Sequence, residues 1–452
     1  MASVYVKTLG CKVNTFDGHA LENQFRARGY ELVNEPDGAD VTVVNTCSVT
    51  ANAEREARYL ARRLRRESPG TMLVFTGCYA QTDSARLVAM DEIDLVIPNV
   101  AKERLVDTVT AGMASLQTGE KPAKLPEGVA AVAANKQAHF KSSVTLFDKA
   151  SSEQTRAFVK VQDGCNGFCT YCLIPYARGA SRSVPRDQVI KECERLVAEG
   201  VAEIVLTGIH IGDYGRDLVA AEVEADPIVG LVEDILMVAA PRRLRISSLE
   251  PAELSPALVE ALAARREQVC DHLHLPLQSG SERILKLMRR TYDPAGYADA
   301  VHRFRAQFPD GCVGADVIPG FPGESDEDFA ATVELIRSLE LSYLHVFPYS
   351  QRPNTAAVKM PGHLPAEVIK ARASELRRLS DELAANYARK FIGRTLPVLW
   401  EKDLDDQGRR LGHTPNYLSV VTDAAKVEAG CISFVQLKGL VGPNRLLGRA
   451  LH

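Results

Sequence analysis

Short β-rich runs alternate with helix-length, charged or Ala-rich segments along most of this chain, and that rhythm narrows its possible folds more than any other feature. In residues 1–116 the runs are Val4-Tyr5-Val6-Lys7-Thr8, Val41-Thr42-Val43-Val44 and Met72-Leu73-Val74-Phe75. Strands separated by helices imply a parallel sheet, so an N-terminal parallel α/β sheet domain is expected there. The rhythm lapses over residues 117–155, where GEKPAKLPEG and KASSEQ bring in Lys, Pro, Ser and Gly as a linker would. It resumes over residues 156–385 in FVKVQ, EIVLTG, RLRISS, HLHLPL, VGADVI and YLHVFP. Six such units suggest a partial (β/α)6 barrel, whose ligand-binding groups should follow the C-terminal ends of its strands. An arginine-rich helical run through Arg389 closes that unit. In residues 386–452, RTLPVLWEK, YLSVVTDA and CISFVQLKGL are separated by DDQG, PN and EAG turns, the pattern of a small C-terminal β-barrel.

With 452 residues the chain has room for about two to four domains, each able to bury a core. Its 46% hydrophobic and 25% charged residues are ordinary globular usage, and no stretch approaches the roughly 18 apolar residues of a membrane span. The opening MASVYVKTLGC runs straight into a strand pattern without the features of a signal peptide, so a cytoplasmic location is expected. Ten cysteines in such a chain are read first as metal ligands or catalytic thiols, not disulfides. A net charge of −4 argues against a generally basic nucleic-acid binder but permits a local basic surface.

The segment DGCNGFCTYCLIPYARG places Cys165, Cys169 and Cys172 in C-x3-C-x2-C spacing directly after the first barrel strand. Closely spaced thiolates hold iron–sulfur clusters, and a loop containing Gly164 and Gly167 can wrap three of them around one [4Fe–4S] cube. Three ligands leave one iron open to a cofactor or substrate. The competing reading is a structural zinc site, which needs four closed ligands, and no fourth Cys or His lies in this loop. Three more cysteines stand at strand ends: Cys11 after VYVKTLG, Cys47 after VTVVNT and Cys78 after MLVFTG. Successive βα units bring such ends to one sheet edge, so the three thiols are expected to converge on a second cluster. The bland alternative is three separate buried cysteines acting as small apolar residues. Cys193, Cys270, Cys312 and Cys431 stand singly and are read as structural.

C-x3-C-x2-C after a barrel's first strand resembles the signature of the radical S-adenosylmethionine (SAM) superfamily. That resemblance implies SAM at the open iron, where one electron cleaves it to methionine and a 5′-deoxyadenosyl radical. It also implies cofactor contacts at strand ends: Tyr171 flanking adenine, Ile318 with Gly320 lining it, Gly208 letting backbone approach the SAM amino group, and Glu250 and Gln278 on ribose or carboxylate. With TLGCKVN, NTCSVT and TGCYAQ preceding the barrel and a β domain following it, nearly the whole chain resembles the radical SAM methylthiotransferases. The implied architecture is an N-terminal domain with the second [4Fe–4S] cluster, a radical SAM barrel and a TRAM-like RNA-binding domain. The implied reaction replaces C–H by C–S–CH3, with two SAM molecules in different roles.

LGCKVN, CLIPYARG and LHVFPYSQRPNT look most like the branch that methylthiolates C2 of N6-threonylcarbamoyladenosine at tRNA position 37. The isopentenyladenosine branch usually carries Gln-Met after the first cysteine, and the ribosomal-aspartate branch Pro-Lys. Independently of that resemblance, Arg55, Arg58, Arg62 and Arg66 recur at helical spacing, giving a cationic face suited to the phosphates of a tRNA anticodon arm, or simply a solvated face. In the β domain, Arg394, Lys402, Arg409 and Arg410 are candidate phosphate contacts; Trp400 and Tyr417 would stack on bases or fill a core. Arg178 and Arg352 are assigned to the carboxylate of the threonylcarbamoyl group, against structural salt bridges as the alternative. Expected partners are tRNA, an electron donor such as a flavodoxin or ferredoxin, and a sulfur donor, with no membrane. The rival of a different class is a non-catalytic metal-cluster RNA-binding protein.

Overall fold

Residues 1–131, 155–218 and 226–451 are described in a computed structural model of the chain; most of the connection expected over 117–155 lies outside them. The chain divides into two compact units, one comprising residues 1–150, 162–184 and 350–359, the other residues 151–161, 185–349 and 360–452.

In the first unit, β1 (Ser3–Thr8), β2 (Glu31–Leu32), β3 (Val41–Thr46), β4 (Met72–Gly77) and β5 (Leu95–Pro98) form one parallel sheet in the order β2-β1-β3-β4-β5. Alternation along the strands feeds two cores. Val41, Val43, Met72 and Val74 pack with Leu21 and Phe25 on one face, and Val44, Leu73 and Phe75 with Leu60, Ala61 and Leu64 on the other. Helices α1 (Lys12–Ala27) and α2 (Ala51–Glu67) therefore lie on opposite faces. Helix α2 begins where Thr50 accepts a hydrogen bond from the Ala53 amide at 3.1 Å, and it buries Ala57, Leu60, Ala61 and Leu64. The order reverses between β1 and β3, which is the switch point where open α/β sheets bind ligands.

In the second unit, six parallel strands occupy the predicted positions: β6 (Arg156–Lys160), β7 (Glu203–Thr207), β8 (Leu244–Ile246), β9 (His272–His274), β10 (Cys312–Val317) and β11 (Tyr343–Val346). They form two three-stranded sheets, β8-β7-β6 and β9-β10-β11, joined by a parallel bridge from Ser248 to His274. The long helix Ala366–Arg389 follows, with the Ser380 hydroxyl accepting from the Leu344 amide at 2.9 Å. Five antiparallel or mixed strands, β12 (Thr395–Leu404), β13 (Arg409–His413), β14 (Ser419–Asp423), β15 (Ile432–Gly442) and β16 (Arg445–Ala450), close into a barrel. Its core contains Val398, Trp400, Val420, Val435 and Leu446. Among the described residues no helix is long and apolar enough to cross a membrane.

Trp400 is fully buried and its indole N–H donates to Ser433 at 2.7 Å, so it fills the barrel core and presents no face to a base. Tyr417 lies against His272 at 4.4 Å and under the Arg245 guanidinium at 4.9 Å. Arg394 is paired with Asp310 and Arg409 with Asp405, and Arg410 donates to the Glu401 and Lys402 carbonyls. Of the lone cysteines, Cys193, Cys270 and Cys312 are buried as expected, whereas Cys431 is exposed and belongs to no core.

Candidate functional site

All six predicted cluster cysteines belong to the first unit. Cys11 follows β1, Cys47 follows β3 and Cys78 opens the short helix Cys78–Thr82 after β4. Two glycines pull these ends together. Gly10 has φ +104°, and a Cβ there would lie 2.7 Å from Cys47 Cβ and 2.8 Å from its Sγ. Gly77 has φ +92°, and a Cβ would lie 2.5 Å from the Thr46 carbonyl. Neither position tolerates a larger residue, for reasons of both space and backbone conformation. Cys11 and Cys47 thus sit at the switch point of the sheet.

Burial pushes the Cys47 thiol up to about 12, and nearby Cys78 and Cys11 push in the same direction. Burial also raises Cys78; the Arg178 guanidinium opposes that rise and Cys11 adds to it. The three sulfurs thus lie in one another's fields. Unliganded, buried Cys47 and Cys78 stay protonated, and a bound cationic cluster is what would draw them to thiolate.

Beneath the thiols lies a polar network. Arg178 donates to Asn14 Oδ1 at 2.7 Å, Asp17 Oδ2 at 3.0 Å and Asp163 Oδ1 at 3.0 Å. Lys102 reaches Asp17 at 3.2 Å and Asn45 at 3.1 Å. Asn14 in turn donates to the Leu9 and Thr46 carbonyls, at the ends of β1 and β3. Arg178 is therefore corrected from substrate contact to structural cation: it is 2% exposed with two carboxylates on it. Arg352 is corrected likewise, being 4% exposed and ion-paired with Glu54 of α2.

On the other loop, the Gly167 amide points at Cys165 Sγ at 3.3 Å and the Ile174 amide at Cys172 Sγ at 3.4 Å. A Cβ at Gly167 would lie 3.4 Å from Cys165 Sγ and 3.9 Å from Cys169 Sγ, so these two sulfurs converge around that glycine. Gly164, at φ +76°, leaves only 2.0 Å between a Cβ and the Ala180 carbonyl, which fixes the loop's entry. Amides directed at sulfur suit cluster thiolates. Among the described residues, the sets that bring three possible ligand atoms within 4.8 Å of one another contain no cysteine. Thiolates on one tetrahedral zinc stand about 3.8 Å apart. Neither triplet is closed around a single ion, and a cubane, in which each thiolate binds a different iron, sets them wider.

The cofactor candidates of the second unit follow four successive strands: Gly208 after β7, Glu250 after β8, Gln278 after β9, and Ile318 and Gly320 after β10. Gln278 takes φ +64°, is 7% exposed, and has a buried Oε1 with no hydrogen-bond donor. An orphaned buried acceptor on strained backbone fits a polar cofactor such as SAM. Glu250 is ion-paired with Arg290. Gly320, at φ +80°, has Ile369 where a Cβ would go, 2.6 Å away, and its amide donates to Glu324 at 2.8 Å. Tyr171 lies between Thr170 and Cys172 on the thiol loop in the first unit, partly exposed.

On α2, Arg55, Arg62 and Arg66 are exposed, while Arg58 is partly withdrawn, donating to Tyr79 at 2.7 Å. Arg62 lies 3.6 Å from Glu92 and Arg66 3.9 Å from Glu67. Sequence reading missed Asn14, Asp17, Lys102, Glu324 and Arg290. Asn14 and Asp17 lie one and two turns past Cys11 on α1, a spacing that could have flagged them; the others come together only in three dimensions. It also missed two groups of possible metal ligands, His210/Asp213/Glu253 and His274/Asp316/His345.

Residues 3–98 match the family described as "Uncharacterized protein family UPF0004", and residues 159–336 match the Radical SAM superfamily. The chain is 36% identical over 441 residues to the threonylcarbamoyladenosine tRNA methylthiotransferase MtaB of Bacillus subtilis (strain 168), covering 97% of this chain and 94% of that one. It is 32% identical over 456 residues to the tRNA-2-methylthio-N(6)-dimethylallyladenosine synthase of Maricaulis maris, covering 96% and 94%. Among solved structures, the radical S-adenosylmethionine methyltransferase TsrM of Kitasatospora setae shares the fold, with a TM-score of 0.58 at 15% identity over 79% of this chain and 77% of that one. With two thiol triplets at strand ends and relatives matched nearly end to end, this chain belongs to the radical SAM methylthiotransferase family, enzymes that use SAM and [4Fe–4S] clusters.

Proposed function

We propose that this enzyme adds a methylthio group at C2 of N6-threonylcarbamoyladenosine next to the anticodon, at position 37 of tRNA. The observation that carries the reading is the pair of thiol triplets in one unit, joined to nearly full-length similarity to methylthiotransferases named for that nucleoside. Cys165, Cys169 and Cys172 would hold the cluster that binds SAM, and Cys11, Cys47 and Cys78 the second. Bound there, these groups would supply one-electron cleavage of SAM and the sulfur. The chain's own residues do the rest: Gly10 and Gly77 hold three strand ends together, and Arg178 with Lys102 supplies positive charge beneath the second triplet. Tyr171, Gly208, Glu250, Gln278, Ile318 and Gly320 are the proposed SAM contacts. Exposed Arg55, Arg62 and Arg66 are the proposed phosphate contacts, with Arg58 backing them through Tyr79.

The division of labour follows the sequence: a cluster domain over 1–116, the barrel over 156–385 and a TRAM-like domain over 386–452. A flavodoxin or ferredoxin would serve as electron donor and a separate sulfur donor would replenish the second cluster, in the cytoplasm. Similarity to dimethylallyladenosine synthases favours isopentenyladenosine as the second reading. Offering the cluster-loaded enzyme tRNA with either modification and analysing the nucleosides by mass spectrometry separates them. Preferential methylthiolation of the isopentenyl form overturns the choice of substrate.

A further inference from the structure

In the second unit, His274 on β9, Asp316 on β10 and His345 on β11 face the same way. The register dictates it. Asp316 pairs directly with His345, and Gly314, two residues earlier on β10, pairs with His274. Residues two apart on a strand share a face, so all three side chains project from one side of the sheet. His274 Nε2 lies 2.9 Å and His345 Nδ1 3.3 Å from the same oxygen, Asp316 Oδ1. One ligand atom from each residue lies within 4.8 Å of the other two. His274 is buried, Asp316 partly exposed and His345 exposed, leaving the cluster open on one side.

The spacing fits coordination of one ion. Two ligands about 2.1 Å from an ion stand about 3.0 Å apart in octahedral cis positions and about 3.4 Å apart in a tetrahedron. The observed 2.9 and 3.3 Å match those edges. The same heavy-atom positions also suit two N–H donors on one carboxylate oxygen. The surroundings favour ligation. His274 Nδ1 lies 3.4 Å from the Tyr343 hydroxyl, which also sits 2.9 Å from His272 Nε2, an outer contact of the kind that orients a metal-binding histidine ring. Tyr343 can lie there because β10 carries glycine opposite it: a Cβ at Gly314 would be 2.4 Å from that hydroxyl.

We propose that His274, Asp316 and His345 form a binding site for a divalent transition-metal ion, a two-histidine, one-carboxylate set with coordination positions left for oxygen ligands. Two neutral imidazoles and one carboxylate leave the ion a net positive charge, so an anionic oxygen suits the open side. The site shares no residue with either thiol triplet and does not depend on the substrate assigned above.

The test uses cluster-loaded enzyme under anaerobic conditions, so that the cysteine ligands are occupied, with Mn2+ as the probe and its free-ion EPR signal as the readout. Wild type should remove about one Mn2+ per chain from solution, and Zn2+ should release it. Asp316→Asn should weaken binding about tenfold or more, as should His345→Gln, whose exposed side chain can be changed without disturbing the core. Cluster iron should be unchanged in both. His210→Gln, in the other histidine–carboxylate group, should bind as wild type does. Failure of wild type to bind Mn2+, or equal binding by wild type and Asp316→Asn, would overturn the site and leave a hydrogen-bond network. Loss of binding in His210→Gln alone would move the site to that group.

Discussion

Changing Arg178 to Ala removes a cation from beneath the Cys11, Cys47 and Cys78 triplet and tests whether that arginine holds the unit together or meets substrate. Its side chain is 2% exposed, with Asp17 and Asp163 each 3.0 Å away and themselves 9% and 4% exposed. Removing one partner of a buried pair costs about 3–5 kcal/mol, because the remaining charge is left desolvated. Asp17 retains Lys102 at 3.2 Å and Asp163 retains Arg182 at 3.4 Å, so the low end, about 3 kcal/mol, is expected. Hydrogen exchange read by mass spectrometry localises the loss. Protection of β3 (Val41–Thr46) and β4 (Met72–Gly77) should fall roughly a hundredfold, since about 1.4 kcal/mol is a factor of ten. The strands of the second unit should change little. Arg178→Met combined with Asp163→Asn should recover part of the loss, because it also removes one of the two buried carboxylates that lost a cation. Unchanged protection in β3 and β4, together with a raised KM for threonylcarbamoyl-modified tRNA, would refute this reasoning and return Arg178 to the substrate.

Replacing Cys165, Cys169 and Cys172 together by Ala should halve the bound iron and abolish SAM cleavage, as measured by iron analysis and 5′-deoxyadenosine formation; complete loss of iron would show that the two triplets do not load independently. Changing Arg62 and Arg66 to Gln should reduce the magnitude of the log–log salt slope of tRNA binding by about 1.4 to 1.8, or two phosphate contacts, and an unchanged slope would leave α2 as a solvated face. Burial pushes the Glu203 carboxyl up, but Arg245, with help from Arg156 and Arg243, holds it down at about 2. Because its folded value lies below the unfolded one, its stabilisation is complete above the unfolded value and is lost as pH falls from about 5 to about 2. That loss is on the order of 3 kcal/mol. Urea unfolding of wild type and Glu203→Gln across this range checks it: the difference between them should shrink as pH falls, and a constant difference would count against the linkage.

What could be read from the sequence, and what could not, divides according to the distance over which each feature is determined. The strands carrying the cysteines announce themselves by local pattern, and placing Cys11, Cys47 and Cys78 at three strand ends was enough to expect convergence, because parallel βα topology leaves few other arrangements. The six barrel strands were legible for the same reason. The arginines were misjudged because a sequence reports a charge but not its partner. Arg178 stands in PYARG without an acid next to it, and its partners Asn14 and Asp17 lie 164 and 161 residues away in the chain. Arg352 is 298 residues from Glu54. Arg58 looked equivalent to Arg55, Arg62 and Arg66 on the helical wheel, yet only the fold sets it against Tyr79. The His274, Asp316 and His345 cluster lies between these extremes. The His-Leu-His alternation on β9 already puts two imidazoles on one face, and Asp316 and His345 each sit in an evident strand. What the sequence lacks is the register, and a one-residue slip would send one member to the opposite face. Gly314 bears on this register: its missing Cβ is the space Tyr343 occupies, so Gly314→Ala should disturb the Tyr343 ring and, with it, the orientation of His274.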